Sequence, residues 1–399
     1  RREGKAMETG MHAHPCVAAR ARARAVWRRR RGVGAGARAA AGEGASSSSP
    51  SSSAPAPARA AESGGAGERG RLGAEWGREG ERAERLLSTA ASIDEALAAF
   101  RARRDARAEP GGQQRLGDVF LVGTGPGDPG LLTLHALTLM QKADVVLYDR
   151  LVSSDILDLI NEEARLVYVG KREGFHTRTQ DEIDDLLHLF AAAGAETVVR
   201  LKGGDPLVFG RGGEEMDYLG ARDVTVHCAP GITAASGICA SLGIPFTQRG
   251  VATSVRFLTG HSREGGGDPS EFAVTSADPD TTLVVYMGLS TLPQLSARLR
   301  EAGVPAALPT VAVERGTTPK ERRVFATLAE LPRAVEAAGL RSPTLLVLGR
   351  VVALSPLWPG EKGALQEGPP PASCSALAPL SAHRLEPIIR ALRSIKTSE

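Results

Sequence analysis

From Gly117 onward, short β-branched or aliphatic runs alternate with segments whose apolar residues recur three and four positions apart. The runs at 119–122, 145–148, 166–169, 198–201 and 224–227 have the length of strands, and the period over 131–142 and 180–193 predicts helices between them. A second set of strands follows at 255–259, 283–287, 311–314, 324–327 and 345–348, with helices at 292–302 and 328–338. Such alternation predicts an α/β sheet with crossover helices. Two sets of five strands predict two α/β domains, 117–229 and 230–358, with a boundary near Pro230 and Gly231. Upstream, Ser92 and Glu95 have capping-box spacing, Ile93, Leu97 and Phe100 follow at helical spacing, and Pro110 would stop the helix. That predicts a short helix, docked on the body, within a linker over 71–116. Beyond Pro359 the pattern fades. Gly368 precedes three prolines, and only 385–395 carries a weak amphipathic period, so 359–399 reads as a disordered tail.

Charge divides the chain at the same place as pattern. The 399 residues carry a net +3, but residues 1–116 hold 22 Lys and Arg against 13 Asp and Glu, and the rest hold 27 against 33. A basic leader therefore precedes an acidic body. Residues 1–70 are mostly Ala, Arg, Gly and Ser, including Arg28 to Arg31 and the serines 46–49 and 51–53. Too little apolar surface is available there to offset the entropy of ordering. Arg-rich, Ser-rich and acid-poor composition fits an organelle transit peptide. A nucleic-acid-binding arm is the competing reading, although no aromatic run interleaves with the arginines for base stacking. Met7 and Met11 are candidate start residues. The 42% hydrophobic content excludes wholesale disorder, and no apolar run nears the roughly 20 residues a membrane helix needs. Cys16, Cys228, Cys239 and Cys374 form no C-x-x-C pair, which argues against a disulfide framework or a zinc site. Cys228 and Cys239 read as small buried hydrophobes in a reducing compartment.

Candidate chemistry sits at strand ends. Gly125, Gly127 and Gly130 match a dinucleotide fingerprint, and Asp149 ends the next strand 24 residues after Gly125. Pro126 and Pro129, however, remove N–H donors that a pyrophosphate would want. NAD binding and a turn that shapes some other pocket both remain open on spacing alone. The run 201–215 holds Gly203, Gly204, Asp205 and Pro206, then Gly210, Gly212 and Gly213. Glycine lets backbone approach a ligand closely, and no Gly-Lys-Ser/Thr is present for a triphosphate loop. A third segment, 229–237, opens a helix with the small residues Thr233, Ala234 and Ala235. Tyr286, Met287 and Gly288 form a fourth, and 313–319 a fifth.

Taken in order, these segments resemble the tetrapyrrole methylase family. The resemblance covers 117 to about 358. It rests on Val122 to Pro129 with Leu131 to Thr133, Tyr148 to Val152, Val169 to Arg172, Lys202 to Glu215, Pro230 to Ala234, Tyr286 to Leu289 and Glu314 to Thr317. Segments 250–262 and 354–359 look like the plant plastid version. The family's fold implies a cofactor cleft between two α/β domains and S-adenosylmethionine as methyl donor, which displaces NAD. No metal is implied. Cofactor contacts carry over to Pro126, Gly203, Gly204, Asp205, Val208, Thr233, Ala234, Met287 and Gly316, the proton acceptor to Asp149 and the proton donor to Lys171. The implied reaction is two C-methylations of uroporphyrinogen III, giving precorrin-2 for siroheme; a later corrinoid substrate is the alternative. Nothing in 1–116 reads as a dehydrogenase module. Gln248 stands where the family usually has His. An eight-carboxylate substrate and an acidic body call for a local basic patch, with Arg150, Arg172, Arg211, Arg249 and Arg256 as its candidates. A homodimer, in the plastid stroma, without nucleic-acid or membrane partners, completes the expectation.

Overall fold

The computed structural model describes residues 93–107, 115–170, 178–260, 278, 280–360, 364–370, 387, 389 and 390. The leader and most of the linker therefore lie outside the described residues, as do Lys171, Arg172, Cys16 and Cys374. The expected linker helix is present as α1 (Ile93–Arg107).

Strands β1 (Asp118–Gly123), β2 (Val145–Tyr148), β3 (Arg165–Tyr168), β4 (Thr197–Lys202) and β5 (Val226–Ala229) form a parallel sheet in the order β3-β2-β4-β1-β5. Both its faces are covered, which is why these strands read as continuous apolar runs rather than alternations. Val122, Val146, Tyr148, Val199 and Leu201 face α2 (Leu134–Lys142) and α3 (Ser154–Leu157). Val119, Leu121, Val145, Leu147 and Val198 face α1, α4 (Gln180–Ala193) and α5 (Gly212–Gly220). Phe100 of α1 meets Phe190 of α4 edge-on at 6.1 Å, so the linker helix is part of this core.

Local signals set the helix ends. Thr179 and Glu182 form a capping box at the start of α4, and Gly194 closes it in the left-handed region, matching the expected 180–193. The helix expected from 131 starts at 134 instead. Pro129–Leu131 forms a 3-10 turn, and the Thr133 side chain accepts from the Ala136 N–H to cap α2. Helix α5, opening after Arg211, was not expected from the glycine-rich run.

The second sheet has the order β11-β9-β8-β10-β7-β6. Its strands are β6 (Ser254–Thr259), β7 (Thr281–Tyr286), β8 (Pro309–Glu314), β9 (Arg322–Thr327), β10 (Thr344–Leu348) and β11 (Ala364–Glu367). Only β6 and β7 pair in parallel; the other pairings are antiparallel. One face carries α7 (Leu292–Glu301) and α8 (Leu331–Ala338). The other carries α6 (Ala234–Ser241), which follows β5 directly, and Trp358, whose ring meets Phe325 at 6.0 Å. Both sheets belong to one compact unit, residues 66–399.

Two expectations need correction. The tail is not structureless throughout: residues 364–367 pair with β9, and Ile389 is buried on the first sheet. Four residues are too short for a period to register, and what holds them is cross-strand pairing to Arg322 and Arg323. Cys239 is buried, and burial pushes its thiol up to about 12, but Cys228 is only half-buried.

Candidate active site

Open α/β sheets bind ligands beyond the carboxyl ends of their strands. Here the loops after β1, β4 and β5 converge at that edge. Gly125 and Gly204 exchange backbone hydrogen bonds, 3.1 Å from Gly125 N to Gly204 O and 2.7 Å from Gly204 N to Gly125 O. Both hold positive φ, +72° and +73°. A Cβ on Gly231 would lie 2.2 Å from Gly204 O and 2.8 Å from Gly123 Cα, so three backbones touch where no side chain fits. The Asp205 carboxylate fastens this junction. It accepts from Leu207 N at 2.8 Å and Gly231 N at 3.1 Å, two of its roughly four acceptor positions.

Below the junction lies a set of buried charges. Lys202 donates to both Glu215 oxygens, at 2.8 and 2.9 Å. Arg200 Nη2 donates to Asp149 Oδ2 at 2.9 Å, while Asp149 Oδ1 accepts from Leu151 N at 2.9 Å. Gln180 donates to Glu215 and to Asp184. Arg200 and Lys202 are 4% and 5% exposed and Glu215 is fully buried, so each charge depends on the others. Burial, and then Arg200, pushes the Lys202 ammonium below its ordinary value; Glu215 pulls it back. Burial pushes the Asp184 carboxyl up to about 6.

The second sheet supplies the opposite wall. Tyr286, ending β7, accepts the Ala235 N–H of α6 at 3.1 Å and meets the Phe209 ring at 4.9 Å. Met287 follows at φ +55°, half exposed. After β8, Arg315 and Thr317 hold φ +48° and +65° on either side of Gly316. A Cβ on Gly316 would lie 2.4 Å from the Ile238 side chain, and one on Gly127 2.7 Å from Thr318 Cγ2. The glycine loop of the first sheet therefore touches the β8 loop of the second. Pro126 likewise packs on α6, 2.5 Å from where a Gly237 Cβ would be. Backbone held in the left-handed region without glycine costs on the order of 1–3 kcal/mol per residue and concentrates at ligand clamps.

This geometry tests the implied cofactor. A sulfonium nucleoside needs close backbone, polar anchors and an apolar wall. Gly203 and Gly204 give the backbone. The spare acceptor capacity of Asp205 gives an anchor, as does Thr317 Oγ1, buried with no hydrogen-bond partner among the described residues. Leu151, Leu207, Phe209, Ile232 and Met287 are large apolar side chains left exposed on these loops. The residues fit the group.

A model of the tetrapyrrole (corrin/porphyrin) methylases matches residues 118–332, more than half of the chain. The chain belongs to the tetrapyrrole methylase family. Over 249 residues, 62% of this methylase and 67% of the relative, it is 65% identical to the chloroplastic S-adenosyl-L-methionine-dependent uroporphyrinogen III methyltransferase of Arabidopsis thaliana. It is 49% identical to the siroheme synthase of Azotobacter vinelandii, over 68% of this chain and 57% of that one. Among solved structures, the native uroporphyrin III C-methyl transferase of Thermus thermophilus matches at 44% identity and TM-score 0.51, covering 60% of this methylase and 94% of that chain. The Thermus enzyme complexed with S-adenyl homocysteine matches at 45% identity and TM-score 0.50, over 60% and 100%.

Of the residues expected to hold the cofactor, the methylase brings Pro126, Gly203, Gly204, Asp205, Thr233, Ala234, Met287 and Gly316 onto loops or helix starts around this cleft, with Val208 beside Phe209. Thr233 caps α6 by accepting from Ser236 N at 3.0 Å. Asp149 is there too, but ion-paired. Arg150, Arg211, Arg249 and Arg256 are exposed, and Arg211 is paired with Glu214 at 2.9 Å. Arg200, Lys202 and Glu215 escaped sequence reasoning. The available signal was two cations inside an otherwise apolar central strand, which demand a buried counterion. Among the described residues, no helix is long and apolar enough to cross a membrane, and no group of three or more His, Cys, Asp or Glu could hold a metal.

Proposed function

We propose that this chain transfers two methyl groups in succession from S-adenosylmethionine to carbon atoms of uroporphyrinogen III, giving precorrin-2 for siroheme. The observation that carries the reading is the contact of two loop systems, Gly127 against Thr318, in a chain 65% identical over 249 residues to the Arabidopsis enzyme. S-adenosylmethionine supplies an electrophilic methyl on a sulfonium. Gly203 and Gly204 would approach it by backbone, Asp205 would anchor a polar group, Met287 and Val208 would exclude water, and Pro126, Thr233, Ala234 and Gly316 would complete the set of residues that hold it. Held cofactor and substrate give most of the acceleration by alignment. Asp149 accepts the proton lost from the methylated ring, its carboxylate oriented by Arg200 and the Leu151 N–H, and Lys171 donates in return. The arginines 150, 172, 211, 249 and 256 meet the substrate's carboxylates.

The leader's composition and the chloroplastic Arabidopsis relative support import into a plastid, and the family resemblance supports a homodimer. This chain spans 57% of the length of the Azotobacter siroheme synthase it matches.

The test is incubation of the full chain with uroporphyrinogen III and S-adenosylmethionine, read by mass. Addition of two methyl groups per tetrapyrrole is expected. Arg249→Ala should raise KM for uroporphyrinogen III more than KM for the methyl donor. No methylated product from folded protein overturns the function; methylation of a later corrinoid instead reassigns the substrate.

A further inference from the structure

The β8 loop is tied to the far end of the chain. Glu321 Oε2 accepts the Thr317 N–H at 2.7 Å, and its other oxygen accepts from Arg323 Nη1 at 2.9 Å. Arg323 reaches across to β11, donating from Nε to Gln366 Oε1 at 3.0 Å and from Nη1 to the Gly368 carbonyl at 2.7 Å. The Gly368 N–H returns to the Glu321 carbonyl at 2.8 Å. Glu321 and Arg323 are 1% and 3% exposed, so water does not compete for these bonds. Inside the loop, Glu321 N and Thr318 N bond back to Thr318 O and Arg315 O, which leaves Glu321 as the link to the strand beyond.

A loop holding Arg315 and Thr317 at positive φ stays so only where its surroundings over-determine it. Pro343, whose carbonyl accepts the Arg315 N–H at 3.1 Å, and Ile238, on which Gly316 packs, hold one side of it; the Thr317 side is tied through Glu321 to β11, at 364–367, beyond the 118–332 family match. We propose that β11 is a positioning element of the cofactor cleft, acting through Arg323 and Glu321 to fix the Arg315–Gly316–Thr317 backbone. The inference rests on the proposed cofactor role of Gly316. Neither Arg323 nor Glu321 is a catalytic residue; both act through the loop. The tail thus sets affinity for the methyl donor and leaves the tetrapyrrole side alone.

The test is calorimetric titration of S-adenosylhomocysteine into the full chain and into three variants: Glu321→Gln, Gln366→Ala, and a chain shortened by deletion of 364–368, which keeps Ile389. Binding to the parent decides the cofactor reading itself; no binding there would refute that reading, not the tail's part in it. Glu321→Gln and the shortened chain should each weaken binding about tenfold, the scale of a typical coupling between linked sites. KM for the tetrapyrrole and kcat at saturating donor should hold. Glu321→Gln within the shortened chain should add no further loss, since both break one path. Gln366→Ala, which spares the buried pair, should give a smaller shift in the same direction and keeps the test open if the others fail to fold. Parent-like affinity in folded variants, or equal rises in both KM values, would overturn the inference.

Discussion

On the first sheet, the loops meeting at the cleft are glycine wherever backbones touch, at Gly123, Gly204 and Gly231. On the second, the loops after β7 and β8 hold Met287, Arg315 and Thr317 in the same left-handed region that glycine enters freely, as Phe209 and Arg211 are held farther along the loop after β4. The difference follows from what each side presents. Where three backbones pack, a Cβ has nowhere to go, and the cleft is walled by peptide. Where the wall must be a side chain, as at Met287, the chain tolerates strain to place it. The Gly231 junction is closed by backbone packing together with the Asp205 hydrogen bonds, and the loop after β8 by hydrogen bonds, those of Glu321 among them.

The sharpest way to break the comparison is to add one carbon on the packed side. Gly231→Ala sets a Cβ 2.2 Å from Gly204 O, with the Gly123 backbone behind it, so no flexible side chain can yield. We expect a loss of about 3 kcal/mol, the upper part of the range for overpacking, and no methyl transfer. Gly213→Ala is the matched control. It lies in α5 with nothing within 4 Å of the new carbon and should stabilise by about 0.5–1 kcal/mol. Urea midpoints measure both, and equal effects would end the distinction.

Charge separates the halves next. Burial raises the Glu321 carboxyl above its ordinary value, and the Thr317 N–H and Arg323 pull back against it. Asp184 accepts from Gln180 and lies in the field of Glu215, and burial lifts it from 3.8 to about 6. Its proton is thus bound more tightly in the folded chain than in the unfolded one. The stability this contributes is complete below about pH 4 and lost as pH rises through 6. Asp184→Asn should therefore match the parent near pH 4 and exceed it at pH 8, by on the order of 1–3 kcal/mol from a shift of about two units. Denaturant titrations at the two pH values decide it, and a gain of equal size at both would contradict the account.

The same contrast explains what the sequence discloses. Short β-branched and aliphatic runs such as 145–148 announced the strands, and the apolar period over 180–193 gave one helix to the residue. The glycine loops and Asp205 were legible because glycine at a strand end has a local physical reason. Strain is not legible: nothing in Arg315 or Thr317 as residue types marks them for positive φ. Nor is a bond between distant positions. Arg200 reaches Asp149 across 51 residues, and Arg323 reaches Gln366 across 43. Arg211 stood out by its place in a motif, and its bond to Glu214, three residues on, is a local one.

The smallest effect bears most directly on the strained side. Met287→Gly removes the Cβ that makes φ +55° costly, and should raise stability by about 1 kcal/mol, the left-handed penalty less part of glycine's entropy. The same change removes an exposed apolar side chain from the cleft, and should weaken S-adenosylhomocysteine binding several-fold, each buried methylene being worth about 0.8 kcal/mol. Stability and affinity then move in opposite directions, which a packed position such as Gly231 cannot show. Met287→Leu separates the two contributions, since it keeps both the Cβ and an apolar wall and should change neither by much. Thermal unfolding and calorimetry on these two variants measure them independently. If Met287→Gly lowered stability as well as affinity, the left-handed backbone at Met287 would not be strained, and the second sheet's loop would be a packed junction like the first.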